Sequence, residues 1–532
     1  MSLRITDVLS HARLDVLTAQ IGDSGILRLY DGTRPGSVAD PITGTQLAEL
    51  VLGAPFAAAA SDLQLTVNAI VGDTSADDSG TATHFRVFKS DGVTPVMDGD
   101  VSALWGGGDL ELENADITAG QPIGVFAWGI GAANGGRPSW VDADDILRLK
   151  FDKAEGPCFW RDGALVRSAA ALQVSSNSEK YLLTAADEFR SIPANRPPQW
   201  PGDGLSIFAG YQNTILSPSD FTSGDWANTH ITTPNAILAP DGSLTADLLT
   251  HDGTTNGNVA QQLPGGFADG ADNASLLCVR NNNSERSHFQ LRSPPSTMLD
   301  VDIYWDAAEI SSVSVNQGSP TNFGYRELKE GWYELQGLVT LPAGNTGNKF
   351  YFEADADRSG KSVYAWGAGL YELDFAPPFE PATREKTTIT DPDFAALAAK
   401  YSLSDGFKID VTFTLSRLSD NAPRCLFALG DGADDSIWAE ISSANTVKMY
   451  LRNGATNELV IETGAFTTTG EKTVTLTAKN EAWALAASGV AGAGDAGSYT
   501  IPALTTLRFG SRFGDADYCN GVLKSFGLQK AA

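Results

Sequence analysis

The sequence predicts a mostly β protein, with tandem β-sandwich/jelly-roll domains behind one short N-terminal helix. Three observations predict it. Short runs of alternating apolar and polar residues recur along most of the 532-residue chain. Asp-Gly pairs punctuate these runs, at Asp31-Gly32, Asp91-Gly92, Asp98-Gly99, Asp162-Gly163, Asp203-Gly204, Asp241-Gly242, Asp252-Gly253, Asp405-Gly406 and Asp431-Gly432. This pair tolerates the positive φ of tight hairpin turns, and short strands joined that way build sandwiches and barrels. Helical spacing, the third observation, is clearest in residues 5–21.

In that helix Ile5, Val8, Leu9, Ala12 and Val16 form an apolar stripe, which Leu14, Leu17 and Ile21 widen. Asp7 suits the first turn, and Gly22 is the expected stop. So wide a stripe leaves two arrangements open: packing on its own domain alone, or on its own domain and a neighbouring chain. Next, HFRVFKSDGVTPVM (84–97) predicts a hairpin turning at Ser90-Asp91-Gly92. Residues 1–155 are expected to form the helix plus a first β domain. Residues 156–212 are expected to be an irregular connector, because Pro193, Pro197, Pro198 and Pro201 stop helices and central strands. Residues 213–385 and 386–532 are expected to be two further β domains, joined at the polar run EPATREKTTITDPD (380–393). No strict repeat of 20–50 residues marks a solenoid.

Charge restricts the partners. The chain has 37 Lys+Arg against 65 Asp+Glu, a formal charge of −28. Such a surface repels nucleic-acid backbones and anionic membranes. No long apolar run predicts a membrane span, and MSLRITDVLSHARLDVLTAQIG has no secretory pattern. Cys158, Cys278, Cys425 and Cys519 lie far apart and His is scarce, so neither a zinc site nor a disulfide framework is expected. A Cys425–Cys519 pair and two buried thiols both stay open. No GxSxG, HExxH or P-loop pattern occurs. With 65 acids, no carboxylate pair can be singled out for glycosidase chemistry, so no enzyme is expected. No cofactor is expected either. GDGADDS (430–436) and GDADYCNG (514–521) offer oxygens for calcium but lack EF-hand spacing, and read better as turns.

The aromatic residues divide by strand alternation. In GKSVYAWGAGLYE (360–372), Tyr364, Trp366, Ala368 and Leu370 share one side, opposite Val363, Ala365, Gly367 and Gly369. The Tyr/Trp/Leu side is the expected inner face of a sandwich, where each large ring contributes roughly 2–3 kcal/mol. In EGWYELQGLVTL (330–341), Tyr333, Leu335 and Val339 read as core, which leaves Trp332 toward an outer face or edge. In DVDIYWDAAE (300–309), Tyr304 opposes Val301, Ile303 and Trp305 and is flanked by Asp302 and Asp306. An aromatic face with carboxylates or amides at its rim matches a pyranose, which offers C–H groups on the ring face and hydroxyls around it. The carbohydrate-binding candidates are therefore Tyr304 and Trp332, with Arg280, Asn282 and Asn283 of CVRNNNSERSHFQLR (278–292) as rim groups. A solvated hairpin loop is the alternative for the rim residues.

Several of these stretches resemble known families. ITDVLSHARLDVLTAQIGDSGILRLYDGTRP and TATHFRVFKSDGVTPVMDGDV resemble a domain of virion proteins in tailed phages and prophages. TILSPSDFTSGDW (214–226), APDGSLTADLL (239–249), EGWYEL (330–335) and SVYAWGAGLYE (362–372) are similar to the carbohydrate-binding-like module of phage fibres and spikes, with Gly369 where the pattern has Gln. FALGDGADDSIWAEIS, KMYLRNG, KTVTLTAKNEAWALAASG and LRFGSRFGDADYCNGVLKSFGLQ resemble a laminin-G or concanavalin-like jelly roll. The resemblance implies a noncatalytic virion structural protein of a phage or gene transfer agent, assembled in the host cytoplasm and displayed on the particle surface. As a fibre, spike or adhesin it would dock on other virion proteins through its N-terminal domain. It would form homo-oligomers and meet host surface polysaccharide with its sandwiches. A capsid decoration or cement protein is the alternative, and a polysaccharide depolymerase a more distant one.

Overall fold

The computed structural model describes the chain apart from residues 1–4, 62, 104–107, 113, 126–127, 132–137, 139–140, 143, 152–157, 162–163, 167–171, 176–179, 184–188, 193–198, 201–203, 208–210, 254–258, 263–271, 294–295, 320–322, 341–348, 357–359, 373–378, 380–382, 385–387, 416–422, 455, 480, 514–520 and 532. The chain divides into two compact units. One comprises Met1–Ser175, Gln199–Phe208 and Thr388–Ala532, and the other Ser176–Pro198 and Ala209–Thr387. Among the described residues no helix is long and apolar enough to cross a membrane.

In the first unit, the N-terminal helix spans Asp7–Ile21. The Thr6 hydroxyl caps it by accepting from the Leu9 N–H (3.4 Å), and Gly22, at φ 73°, ends it. The stripe it buries is not the expected one. Leu14 and Ile21 are buried with Leu17 packed beside them, whereas Val8, Leu9 and Val16 are 79, 51 and 54% exposed. The residues that seemed only to widen the stripe are the ones that meet the β core. That core lies on a five-stranded sheet ordered Gln46–Val51, Ile26–Tyr30, His84–Phe88, Pro95–Ala103, Leu110–Leu112. The expected hairpin joins the third and fourth of these strands. At its turn the Asp91 carboxylate accepts from the Thr94 hydroxyl and from the Thr94 and Val93 N–H groups, which lowers its pKa to about 2.

The same unit contains a jelly roll built from distant parts of the sequence. One sheet runs Ala164–Val166, Cys158–Arg161, Asp145–Lys150, Gly521–Lys530, Gly406–Leu415, Gly470–Lys479, Trp483–Ala487, Ala493–Asp495. The hairpin Gln199–Trp200/Gly204–Ile207 also joins it, along Gly521–Lys530. The other sheet runs Gln173–Ser175, Thr388–Thr390, Thr506–Phe509, Arg424–Gly430, Ser436–Ile441, Thr446–Asn453, Thr456–Ala465. Residues 156–212 are therefore not wholly irregular, and strands before residue 212 pair with strands after 387. These strands are two to six residues long, too short for periodicity to reveal, and Asp145–Lys150, Gln173–Ser175 and Gly204–Ile207 pair with strands hundreds of residues away. The four prolines that suggested a connector lie outside the described residues. A second helix, Phe394–Tyr401, also escaped the one-helix expectation.

Cys425 is buried in this jelly roll, and its proposed partner Cys519 lies outside the described residues. In the 430–436 loop Asp435 accepts from the Gly454 N–H (2.8 Å) and its carbonyl from the Asp431 N–H (3.2 Å), both turn contacts. Most of the 514–521 loop is not described.

The second unit contains a sandwich of two six-stranded antiparallel sheets. The first, called the polar sheet below, runs Ala227–Asn228, Val259–Gln262, Lys349–Glu353, Arg286–Ser293, Ser296–Asp306, Glu309–Gln317. The second runs Ile231–Ile237, Ala246–Thr250, Ser362–Tyr371, Asp272–Asn281, Tyr333–Thr340, Phe323–Glu327. Their inner faces bury Phe289, Leu291, Val301, Ile303, Leu335 and Phe350 among others. Trp366 is buried, as expected, but on the other face of its strand. Val363 and Ala365 enter the core, and so do Ala368 and Leu370. The register shifts between Leu276 and Cys278, opposite Gly367, whose φ is 65°. This bulge inverts the alternation. Trp366 instead packs under Phe379 and Phe189, with ring centroids at 4.8 and 5.8 Å, and its indole N–H donates to the Thr245 hydroxyl (3.1 Å). A Cβ at Gly367 would touch Phe379 only at ordinary contact distance, so Gly367→Ala costs only the left-handed backbone. It is expected to lower stability by about 1 kcal/mol, read as a shift of the urea midpoint at unchanged slope.

Candidate functional site

The outer face of the polar sheet concentrates chemistry. Alternation sends Phe289, Leu291, Val301, Ile303, Trp305, Phe350 and Phe352 into the core. It thereby turns Arg286, His288 and Gln290, Asp300, Asp302 and Tyr304, and Tyr351 and Glu353 outward. The register sets them in cross-strand rows. Tyr351, Gln290 and Asp300 form one row, Glu353, His288 and Asp302 the next, and Arg286 and Tyr304 the third. His288 stands at the centre.

The groups interlock. His288 Nε2 lies 2.8 Å from Asp300 Oδ1, and His288 Nδ1 lies 3.5 Å from Glu353 Oε2. The Gln290 amide donates to Asp300 Oδ2 (2.6 Å), and the Asn316 amide donates to Asp300 Oδ1 (3.1 Å) and Asp302 Oδ2 (3.0 Å). Arg286 pairs with Asp302 at 3.5 Å, and the Arg292 guanidinium lies over the Tyr351 ring at 5.3 Å. On its far side Glu353 faces His251 Nε2 at 3.6 Å. Burial disfavours a charged imidazole at His288, but its bonds to Glu353 and Asp300 outweigh that and raise its pKa above the usual value. Burial likewise works against the Asp300 carboxylate. Its bonds from His288, Asn316 and Gln290 prevail and lower its pKa.

Buried hydroxyls anchor the strands beneath. The Trp305 indole donates to the Ser287 hydroxyl (2.9 Å), and the Ser287 and Ser284 hydroxyls both donate to the Ala354 carbonyl (2.8 Å each). The face is thus preorganised: its acceptors and donors are held before any ligand arrives. Tyr304, 36% exposed, adds an aromatic surface beside Asp302 and Arg286.

The predicted site residues do not form one site. Tyr304 is on the polar sheet. Arg280 lies on the Asp272–Asn281 strand of the second sheet, and Trp332 immediately precedes its Tyr333–Thr340 strand; alternation sets both away from the core. Trp332 does leave the core face as expected, but it is only 1% exposed and cannot present its ring to a sugar. Glu334, on the same side by alternation, is also buried and pairs with Arg326. Asn282 and Asn283 are exposed but tie down a turn: the Asn282 amide donates to the Ser362 hydroxyl (2.8 Å), and Asn283 Oδ1 accepts from the Ser362 N–H (2.7 Å). Sequence reading missed Arg286, His288, Gln290, Asn316, Tyr351 and Glu353. A signal existed in SERSHFQLR, whose polar residues alternate with Phe289 and Leu291 just as Asp300 and Asp302 alternate with Val301 and Ile303.

No family model and no curated protein matches the chain. Solved structures similar to it include the carbohydrate-binding module CBM40 of a Ruminococcus gnavus sialidase, at 21% identity and a TM-score of 0.23, covering 26% of this chain and 82% of that one. Mouse laminin α1 domains LG4–5 are similar at 10% identity and a TM-score of 0.21, covering 62% of this chain and 91% of that one. A Trypanosoma rangeli sialidase in complex with the inhibitor DANA is similar at 9% identity and a TM-score of 0.22, covering 89% and 91%. With TM-scores this low, the mostly β fold class rests on the sheets described above.

Proposed function

We propose that this chain is a noncatalytic glycan-binding protein of a phage or gene-transfer-agent particle, a fibre, spike or adhesin that presents the polar sheet to a host surface polysaccharide. The observation that carries the reading is the preorganised face around His288, with Tyr304 at its rim. Its carboxylates accept from sugar hydroxyls, Arg286 donates to them, and Tyr304 packs on ring C–H groups. No cofactor is needed for such binding. The formal charge of −28 disfavours nucleic acid and membrane as partners. Clustering of copies on a particle, as a homo-oligomer, multiplies weak sugar contacts.

The full chain, probed on a printed panel of bacterial surface polysaccharides, is expected to bind a subset. Binding to none of them, even as a multimer, contradicts the reading. A second reading, a capsid decoration protein, draws on the exposed Val8, Leu9 and Val16 of the N-terminal helix, an apolar stripe suited to a protein partner. Imaging the intact particle separates the two. An adhesin sits at vertices or the tail tip, and a decoration protein covers the capsid faces.

A further inference from the structure

We infer that the polar sheet is a pH-gated site whose gate is His288: the face is ligand-competent while the imidazole carries both protons and loosens when one leaves. The inference rests on the glycan reading for its ligand, and the gate rests on the geometry around His288, with the direction of its pKa shift in support. His288 is enclosed by charge from every strand packed against it. Glu353 faces it from one neighbouring strand, and Asp300 and Asp302 from the other. Arg286 and Gln290 flank it on its own strand, and Tyr351 meets it edge-on at 6.4 Å. Beyond Glu353 stands His251, whose Nδ1 accepts from the Gly253 N–H (2.9 Å).

With both nitrogens protonated, Nε2–H donates to Asp300 and Nδ1–H points at Glu353, so one cation holds two carboxylates on opposite strands. Loss of the Nδ1 proton, held at 3.5 Å against 2.8 Å for the other, turns that nitrogen into an acceptor aimed at the Glu353 carboxylate. Asp300 then keeps only a neutral donor where it had a charged one. Glu353, Asp300 and Asp302 face one another with Arg286 as the cation left among them. Like charges at this spacing repel, and the acceptor array that a polyol must match is no longer fixed.

The direction of the pH effect follows from the raised pKa. The contribution of the His288 contacts to stability is fully present below the ordinary histidine value of 6.5 and is lost as pH rises through the higher folded value. Asp300 acts oppositely, and only in acid: its contribution is present above the ordinary value of 3.8 and is lost as pH falls through the lower folded value. Between these limits the face is intact.

The test uses the full chain and the same printed polysaccharide panel at about pH 5.5 and about pH 8.5. Wild-type binding is expected to fall at least about fivefold at the higher pH. His288→Gln keeps one N–H donor but cannot titrate, so its weaker binding is expected to be the same at both values. In parallel, imidazole-¹⁵N NMR of the wild-type chain is expected to show His288 titrating above the ordinary value. Wild-type binding that is flat with pH, a pH slope retained in His288→Gln, or a His288 titration at or below the ordinary value each overturns the gate. Binding to no polysaccharide at either pH removes the glycan reading. In that case the NMR titration, with an alkaline loss of thermal stability abolished in His288→Gln, still decides the gate.

Discussion

Arg148→Ala is expected to destabilise the jelly roll by about 3–5 kcal/mol, the largest effect of any single charged-residue change described here. The guanidinium is nearly buried and spends its donors on three carboxylates. It contacts both oxygens of Asp145 (2.8 and 3.0 Å), Asp410 Oδ2 (2.8 Å) and Asp142 Oδ2 (2.9 Å). The Asp145 side chain is wholly buried and also accepts from the Gln529 amide (3.0 Å). Alanine would leave that carboxylate buried without its cation. Gly527 explains the geometry. It is the cross-strand partner of both Arg148 and Asp410, and a Cβ there would overlap the guanidinium. The missing side chain lets Arg148 reach over the central strand to Asp410, 262 positions later in the sequence. Denaturant unfolding followed by circular dichroism measures the loss, and a change under about 1 kcal/mol contradicts this account of the cluster. The same contacts predict that a fragment starting at residue 386 does not fold alone, because it lacks the Asp145–Lys150 strand that pairs with Gly521–Lys530.

Trp366→Ala is expected to cost the sandwich unit about 3–5 kcal/mol. The indole is 2% exposed and packs against Phe379 and Phe189, whose rings also meet each other, with Thr245 taking its N–H. Truncation removes the ring that two phenylalanines pack on and leaves a cavity on the outer face of the second sheet, away from the His288 face. Urea denaturation followed by phenylalanine and tyrosine signals reads the effect. Trp366→Phe, which keeps most of the volume, is expected to recover more than half of it. Equal losses for alanine and phenylalanine would mean that the hydrogen bond to Thr245, not packing, holds the site.

These two residues also mark what could be read from sequence. Trp366 was legible as a buried ring, because Tyr, Trp and Leu on alternate positions suit a core. Its side was not legible, since one bulge at Gly367 reverses which residues share a face and leaves no trace in composition. The hairpin at 84–97 and the helix ending at Gly22 were legible because a local turn or cap decides them. Arg148 was not, because Asp410 and the Gly527 that lets it reach there come from the far end of the chain, and strand pairing across such distances has no local signature. The candidate site divides the same way. Tyr304 stood out within its own strand, whereas His288 and Glu353 gain meaning only when the register brings three strands side by side. Trp332 was assigned the correct face, but its burial depends on neighbours that the alternation pattern does not contain.

The most direct measurement is calorimetric titration of Tyr304→Ala beside the wild-type chain, using a polysaccharide that the printed panel shows to bind. Tyr304 lies on the outer face and supports no core packing, so the melting temperature is expected to stay unchanged while affinity falls at least about tenfold. Wild-type affinity retained in Tyr304→Ala would place the binding surface elsewhere and contradict the assignment of function to the polar sheet.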